Sequence, residues 1–266
     1  MPRLLSLAIL ALCLAGQACG VSPMGRRQLL LLSDDQLDRQ GVQMYAQYKR
    51  DVPMTKRARD KAYVTCVTRA IAAEVSEGAI PESWEVSVFQ DDTPNAFAIP
   101  GGKIGVHTGL LDVSDNQDQL AAVLGHEVAH VLARHSNERA SAQQATGLAL
   151  AVAQGAGGVD PQLMSVFGMG AQYGLILPYS RTHESEADLM GLDLMARAGF
   201  DPRQAVAFWD NMDEAAAASG GQAPPEILST HPGSDTRKSD LDERMPRAIK
   251  LYEQARAQGK KPNCRR

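Results

Sequence analysis

Aromatic side chains are scarce in this 266-residue chain, at 5 Phe, 2 Trp and 6 Tyr, so no aromatic specificity pocket can be read from it. Basic residues are not in excess either. Lys and Arg number 27 against 31 Asp and Glu, a net charge of −4. With no basic stripe along any segment, the electrostatic footprint of a nucleic-acid-binding protein is missing. No internal repeat is visible. No apolar run approaches the roughly 20 residues that span a bilayer. Leu4 to Leu14 is too short, and the apolar, glycine-rich stretch Gly147 to Leu177 is broken by its glycines and by Asp160-Pro161, so it reads as part of two amphipathic helices, Asn137 to Gln154 and Gln162 to Leu177. What remains, 44% hydrophobic and 22% charged residues, is ordinary for one globular domain with a sizeable core.

Among what is present, His126-Glu127-Val128-Ala129-His130 carries the chemistry. Residues four apart share a helical face, so both imidazoles reach one metal while Glu127 sits beside it as a base. Leu120, Val123, Leu124, Val128, Val131 and Leu132 form an apolar stripe, and Ser114-Asp115-Asn116 can cap the helix start. The same pattern also arises by chance in long helices, as a surface histidine, a solvated glutamate and a core histidine. A third ligand separates the two readings, because catalytic zinc takes three protein ligands and keeps a position for water. Glu184 and Asp188 are four apart and share a face. Glu184 can therefore bind the metal while Asp188 accepts a hydrogen bond from a ligand imidazole, and Glu186 points elsewhere. A solvated acidic helix start favoured by the dipole is the alternative for this segment.

These motifs resemble a family. HExxH followed by Ser180-Arg181-Thr182-His183-Glu184-Ser185-Glu186-Ala187-Asp188 is similar to the zinc metallopeptidases that include HtpX, the CAAX prenyl proteases and the periplasmic BepA and LoiP proteins. Asn95 to Ile104 with Thr108-Gly109-Leu110-Leu111 matches the family's segment before the zinc helix, and Ser229-Thr230-His231-Pro232-Gly233-Ser234 its His-Pro motif. The resemblance spans roughly residues 35 to 250. It implies a mostly helical α+β, gluzincin-type domain with one zinc ion per chain, held by His126, His130 and Glu184, and with Glu127 as general base. Zinc lowers the pKa of water towards about 7, and Glu127 is placed to take its proton for attack on a peptide carbonyl. His231 and Arg181, each in a matched motif, are the expected donors to the oxyanion. In periplasmic relatives the equivalent histidine can instead fill the fourth zinc position and hold the enzyme latent. A turn histidine before Pro232 is the plain alternative.

Trp84 to Phe89, Ala96 to Ile99 and Lys103 to His107 alternate as strands, with Gly101-Gly102 as a turn, and predict a small antiparallel sheet beside the HExxH helix. Asn95, Ala96 and Phe97 on its edge can bind substrate backbone by strand addition, or simply start a strand and fill core. Helices are expected at Asp34 to Arg50, Thr55 to Ser76, Thr182 to Ala198, Pro202 to Ala218 and Asp235 to Gln258.

The domain reading is a signal peptide over 1–18, a linker over 19–33, the metallopeptidase domain over 34–258 and a solvated basic tail over 259–266. Arg3, the apolar run and Ala15-Gly16-Gln17-Ala18 make the signal. Cleavage after Ala18 suits both an ordinary signal peptidase and lipoprotein processing with acylation of Cys19. Cysteine parity favours the second, since Cys66 and Cys264 then remain as an even pair that an oxidising compartment lets join. The expected protein is a periplasmic endopeptidase, anchored by lipid at a membrane, the outer membrane favoured. The resemblance adds misfolded or misassembled envelope proteins as polypeptide substrates and the envelope assembly machinery as a partner. A zinc-stabilised chaperone that rarely cleaves, and a non-peptidase zinc hydrolase, are the competing classes.

Overall fold

The computed structural model describes residues 19–75, 84–155, 180–218, 227, 231 and 235–266. The signal segment 1–18, the turn at Gly78 to Pro81 and the helix expected over Gln162 to Leu177 lie outside them. In chain order the elements are β1 (Cys19–Val21), β2 (Arg27–Leu29), α1 (Asp34–Asp51), α2 (Ala58–Ala72), β3 (Glu85–Phe89), β4 (Ala96–Ile99) and β5 (Lys103–His107). They continue as α3 (Thr108–Val113), α4 (Gln117–Leu132), α5 (His135–Gly155), α6 (Arg181–Arg197), α7 (Gln204–Ala218) and α8 (Asp235–Ala257). Among the described residues no helix is long and apolar enough to cross a membrane.

The chain divides into two compact units, Met1–Leu37 with Arg134–Leu177, and Asp38–Ala133 with Pro178–Arg266. In the first, residues expected as linker instead form a ladder. β1 and β2 pair antiparallel, Cys19 opposite Leu29 and Val21 opposite Arg27, through a turn in which Gly25 takes a φ of 87°. The ladder is fixed to α5 by charge: both guanidinium nitrogens of Arg26 lie 2.6 Å from the Glu138 carboxylate, which also accepts from Gln28 Nε2 at 2.9 Å. Cys19 is exposed, with a free thiol.

The second unit is built around α4. Asn116 caps it, its side-chain oxygen accepting from the Asp118 and Gln119 amides at 3.0 Å and so satisfying two of the donors a helix start leaves open. Leu120, Leu124 and Val128 are fully buried, and the small Ala121, Gly125 and Ala129 admit neighbours on the remaining sides. Helices α2, α6 and α7 and strand β4 all pack on α4, and α8 packs on α6.

The sheet has the order β3-β5-β4 and is mixed, not antiparallel throughout: β4 pairs antiparallel with β5, whereas β3 runs parallel to β5. The Gly101-Gly102 hairpin, with φ of 85° and 71°, commits one side of β5 to β4. β3 therefore takes the other side, and among the described residues β4 is left as the edge strand that faces α4.

The basic tail is tied to the domain by specific contacts, although most of its residues stay exposed. Cys264 is joined to Cys66 of α2, with a Cα–Cα distance of 5.7 Å. Lys260 Nζ meets the Glu74 carboxylate at 2.7 Å. Arg266 reaches Asp112 at 2.8 Å, the buried Asp60 at 3.2 Å and the Leu111 carbonyl at 2.6 Å. A buried carboxylate such as Asp60 needs a cation, which the terminal arginine supplies. Because the disulfide closes a loop of 198 residues, Cys66→Ser or Cys264→Ser should lower unfolding stability by about 2–5 kcal/mol. In urea titrations, a reductant should shift the wild-type midpoint by the same amount and leave either variant unmoved.

A buried candidate metal centre

Three elements bring the polar cluster together. α4 carries His126, Glu127 and His130, and α6 carries Glu184 and Asp188. His231 lies on the segment before α8, its amide bonded to the Ile227 carbonyl at 2.8 Å. All are buried. The helices can come this close because glycines meet where they cross: a Cβ on Gly191 would sit 2.7 Å from the His126 amide nitrogen, and one on Gly125 would sit 2.8 Å from the Gly191 carbonyl oxygen.

His126, His130, Glu184 and His231 each present a ligand atom within 4.8 Å of the others. His126 Nε2 lies 3.0 Å from His130 Nε2 and 3.2 Å from His231 Nδ1. Glu184 oxygens lie 3.4 Å from each of the first two and 3.1 Å from His231 Nδ1. A tetrahedral zinc with bonds of about 2.0–2.1 Å has ligand–ligand edges of about 3.4 Å, so the observed spacings fit that ion. Two nitrogens and a carboxylate, or three and a carboxylate, are also its usual donors.

The electrostatics call for a cation in the same place. Burial disfavours a charge on His126, yet hydrogen bonds to Asp188 and Glu184 outweigh it and push its pKa up to about 10. Burial holds His130 well below the ordinary imidazole value. For Glu184 burial is overcome by the three imidazoles, which hold it far below the usual carboxylate range. The carboxylates thus favour a positive charge beside His126.

Asp188 Oδ1 accepts from His126 Nδ1 at 2.8 Å, which turns the Nε2 lone pair toward the cluster. Asp188 is itself clamped by Arg237, through Nε at 2.6 Å and Nη2 at 2.7 Å. Arg237 also reaches Glu184 at 3.1 Å and the His231 carbonyl at 3.2 Å, and its guanidinium stacks 4.4 Å from the Trp209 ring centre. Glu127 turns toward the sheet. Its Oε2 accepts the Ala98 amide at 3.1 Å and its Oε1 lies 3.4 Å from His231 Nε2, while burial raises its pKa.

Arg181 does not join this group. It is exposed at the first position of α6, just after the Ser180 cap, and the buried cation beside the ligands is Arg237 instead. Arginine in the first turn of a helix opposes the macrodipole, so its place at the start of α8 is a clue to a buried carboxylate partner. The expected edge-strand residues are split. The ring of Phe97 packs against Tyr45, Tyr48 and Phe89, away from the cluster. Asn95 is buried, and its carbonyl accepts from the His107 amide at 2.9 Å. Since bonded pairs alternate in an antiparallel ladder, Ala96 and Ala98 point their backbone groups to the free edge, where Ala98 meets Glu127.

The model of peptidase family M48 matches residues 58–245. The chain belongs to that family. It is 40% identical over 186 residues, 70% of this chain and 53% of the relative, to the mitochondrial metalloendopeptidase OMA1 of Schizosaccharomyces pombe. The bovine OMA1 is 34% identical over 246 residues, 88% of this chain and 47% of that protein. The beta-barrel assembly-enhancing protease of Escherichia coli is 33% identical over 167 residues, 59% of this chain and 33% of that protein. The chain thus spans about half the length of the OMA1 relatives it matches. The M48 peptidases are zinc enzymes, and the four-residue group is where this member can hold one ion.

Removing Arg237 leaves Asp188 buried without its clamp. Arg237→Ala should weaken zinc binding about 10–100-fold, the usual cost of losing an outer partner of a ligand, and Arg237→Lys should recover only part of it, because an ammonium cannot make the paired contact. Chelator competition monitored by metal content measures both.

Proposed function

We propose that this protein is an exported zinc-dependent endopeptidase in which His126, His130 and Glu184 hold the metal, Glu127 is the general base and Asp188 orients His126. The observation that carries the reading is the buried convergence of those ligands beside a glutamate that also touches the free edge of β4. Bound zinc would supply a Lewis acid and a water of lowered pKa. Glu127 sits where it can take that water's proton and pass it to the leaving amine. Its burial raises its basicity, which suits the transfer. A substrate backbone adding to Ala96 and Ala98 would lie along α4 with its carbonyl toward the cluster. The Ala98 amide holds Glu127 until that strand arrives.

His231 is assigned as a displaceable latch. It already lies among the ligand atoms, 3.4 Å from the base, in the space a substrate carbonyl needs, and the carbonyl clamp from Arg237 favours keeping it there. Cys19 opens β1 with an exposed thiol, which supports acylation there after removal of a signal peptide over 1–18, and so a periplasmic protein held at the outer membrane. The name of the E. coli relative, with a role in β-barrel assembly, supports envelope proteins as substrates and the assembly machinery as a partner. The OMA1 relatives, named as mitochondrial, place similar catalytic domains in another compartment.

Two measurements test this. Glu127→Gln should cut casein hydrolysis about 10²–10⁴-fold with zinc content unchanged, whereas a chaperone that rarely cleaves would keep its function in that variant. A latch predicts that His231→Ala raises basal hydrolysis with zinc retained. A fall of about 100-fold would instead make His231 an oxyanion donor.

A further inference from the structure

The ladder of β1 and β2 has no part in the metal centre, yet it carries an unusual surface. Four of the seven exposed large apolar side chains among the described residues fall within 21–31: Val21, Met24, Leu29 and Leu31, at 71%, 42%, 37% and 44% exposure. Single exposed apolar residues are ordinary, whereas a group of them on one surface marks a contact. The register shows that they are grouped. Residues directly opposite in an antiparallel pair share a face, so Cys19 with Leu29 and Val21 with Arg27 form the outer face of the ladder. The inner side lies on α5: Gln28 is buried and donates to Glu138 at 2.9 Å, and the Leu31 amide donates to Ser141 Oγ at 2.7 Å. Cys19 to Leu31 also holds two arginines and no acidic residue. Arg26 pairs with Glu138, which leaves Arg27 as the exposed cation within the apolar face.

We infer that the outer face of this ladder is a bilayer-docking surface, on which Val21, Leu29 and Leu31, with Met24 at the turn, enter the headgroup boundary while Arg27 reaches the lipid phosphates. This goes beyond the hydrolase reading and rests on the proposed acylation of Cys19 for its choice of occupant. The cysteine that would carry the lipid stands on the face itself. Because β1 begins at that residue, no tether separates the acyl chains from the fold. Val21 is two residues along, about 7 Å away, and Leu29 stands directly across at about 5 Å. An interfacial apolar face sinks about 5–10 Å into the headgroup and acyl boundary, so a lipid on Cys19 brings both side chains into that layer. Arginine suits the same depth, since its stem is apolar and its guanidinium pairs with phosphate. With Gln28 and Glu138 holding the inner side on α5, the ladder is kept with its apolar face outward.

The test reads insertion directly. Leu29→Trp places a fluorophore on the face, and the signal of the native Trp84 and Trp209, measured in the parent protein, is subtracted. Mass spectrometry of the mature protein from bacterial cells first shows whether Cys19 carries a diacylglyceryl group. Acylated protein is reconstituted into vesicles of phosphatidylethanolamine and phosphatidylglycerol. An unmodified Cys19 overturns the anchor reading but not the face. Its exposed thiol, free while Cys66 and Cys264 are joined, is then coupled to a maleimide-bearing phosphatidylethanolamine in the same vesicles. Either way the ladder meets lipid at the same point. The added tryptophan should emit at shorter wavelength than in buffer and lose about twofold or more of its intensity to lipids brominated near the headgroup end of their chains. Adding Val21→Asp should return the emission to its value in buffer and remove most of the quenching, with the urea midpoint unchanged because Val21 is exposed. A tryptophan that stays unshifted and unquenched on vesicle-bound protein overturns the docking surface, as does quenching that Val21→Asp leaves intact. A shift to shorter wavelength without vesicles, with a dimer in sedimentation that Val21→Asp dissolves, overturns it in favour of a second copy of this chain.

Discussion

The close crossing of α4 and α6 at Gly125 and Gly191 is the constraint on which the rest of the site depends. Backbone meets backbone there, and a side-chain carbon on either residue would fall inside 3.0 Å of the other helix. Interiors are packed too tightly to absorb such an intrusion without a shift. Gly125 immediately precedes His126, and Gly191 lies three residues beyond Asp188. The contact therefore sets how far the Glu184 and Asp188 carboxylates stand from the two imidazoles of α4. The 3.4 Å spacings from the Glu184 oxygens to the two imidazoles follow from this approach.

Charge supplies the second constraint. Among the described residues Glu127, Glu184 and Asp188 are buried with one arginine, Arg237, so with neutral imidazoles these groups carry two negative charges in excess in a region of low dielectric. Buried charges are costly unless paired. A divalent cation at the convergence point removes the imbalance, and without one a proton on His126 does part of the same work. The arrangement is in that sense a fold that expects an ion. The clamp of Arg237 on Asp188 then serves orientation: it fixes the carboxylate that fixes the tautomer of His126.

The parts of the site that are local along the chain are legible in the amino-acid sequence alone. Spacing of four residues puts His126 with His130 and Glu184 with Asp188, and Ser114-Asp115-Asn116 marks the cap of α4, which Asn116 supplies, because capping chemistry acts within three residues. Long-range facts are not legible in this way. Nothing in β3, β4 and β5 says that the first strand runs parallel on the far side of β5, since that choice is made by which side the hairpin occupies. Arg181 and Arg237 look equivalent to spacing arguments, and only burial tells them apart. The tail reads as solvated when its charges are counted without their partners, Asp60, Glu74 and Asp112, which lie more than a hundred residues away. The ladder of Cys19–Val21 with Arg27–Leu29 escapes a pattern reading because each strand is three residues long, too short for alternation to register.

The central claim is that four side chains from three separate segments converge on one zinc ion, with His231 as the displaceable fourth ligand. X-ray absorption at the zinc edge on the purified protein tests it most directly. The account predicts one zinc per chain, with three imidazole nitrogens and one carboxylate oxygen at about 2.0–2.2 Å, and loss of one imidazole contribution in His231→Ala. A wild-type spectrum with two imidazoles, unchanged in His231→Ala, would contradict the latch, and a protein that takes up no zinc would contradict the site.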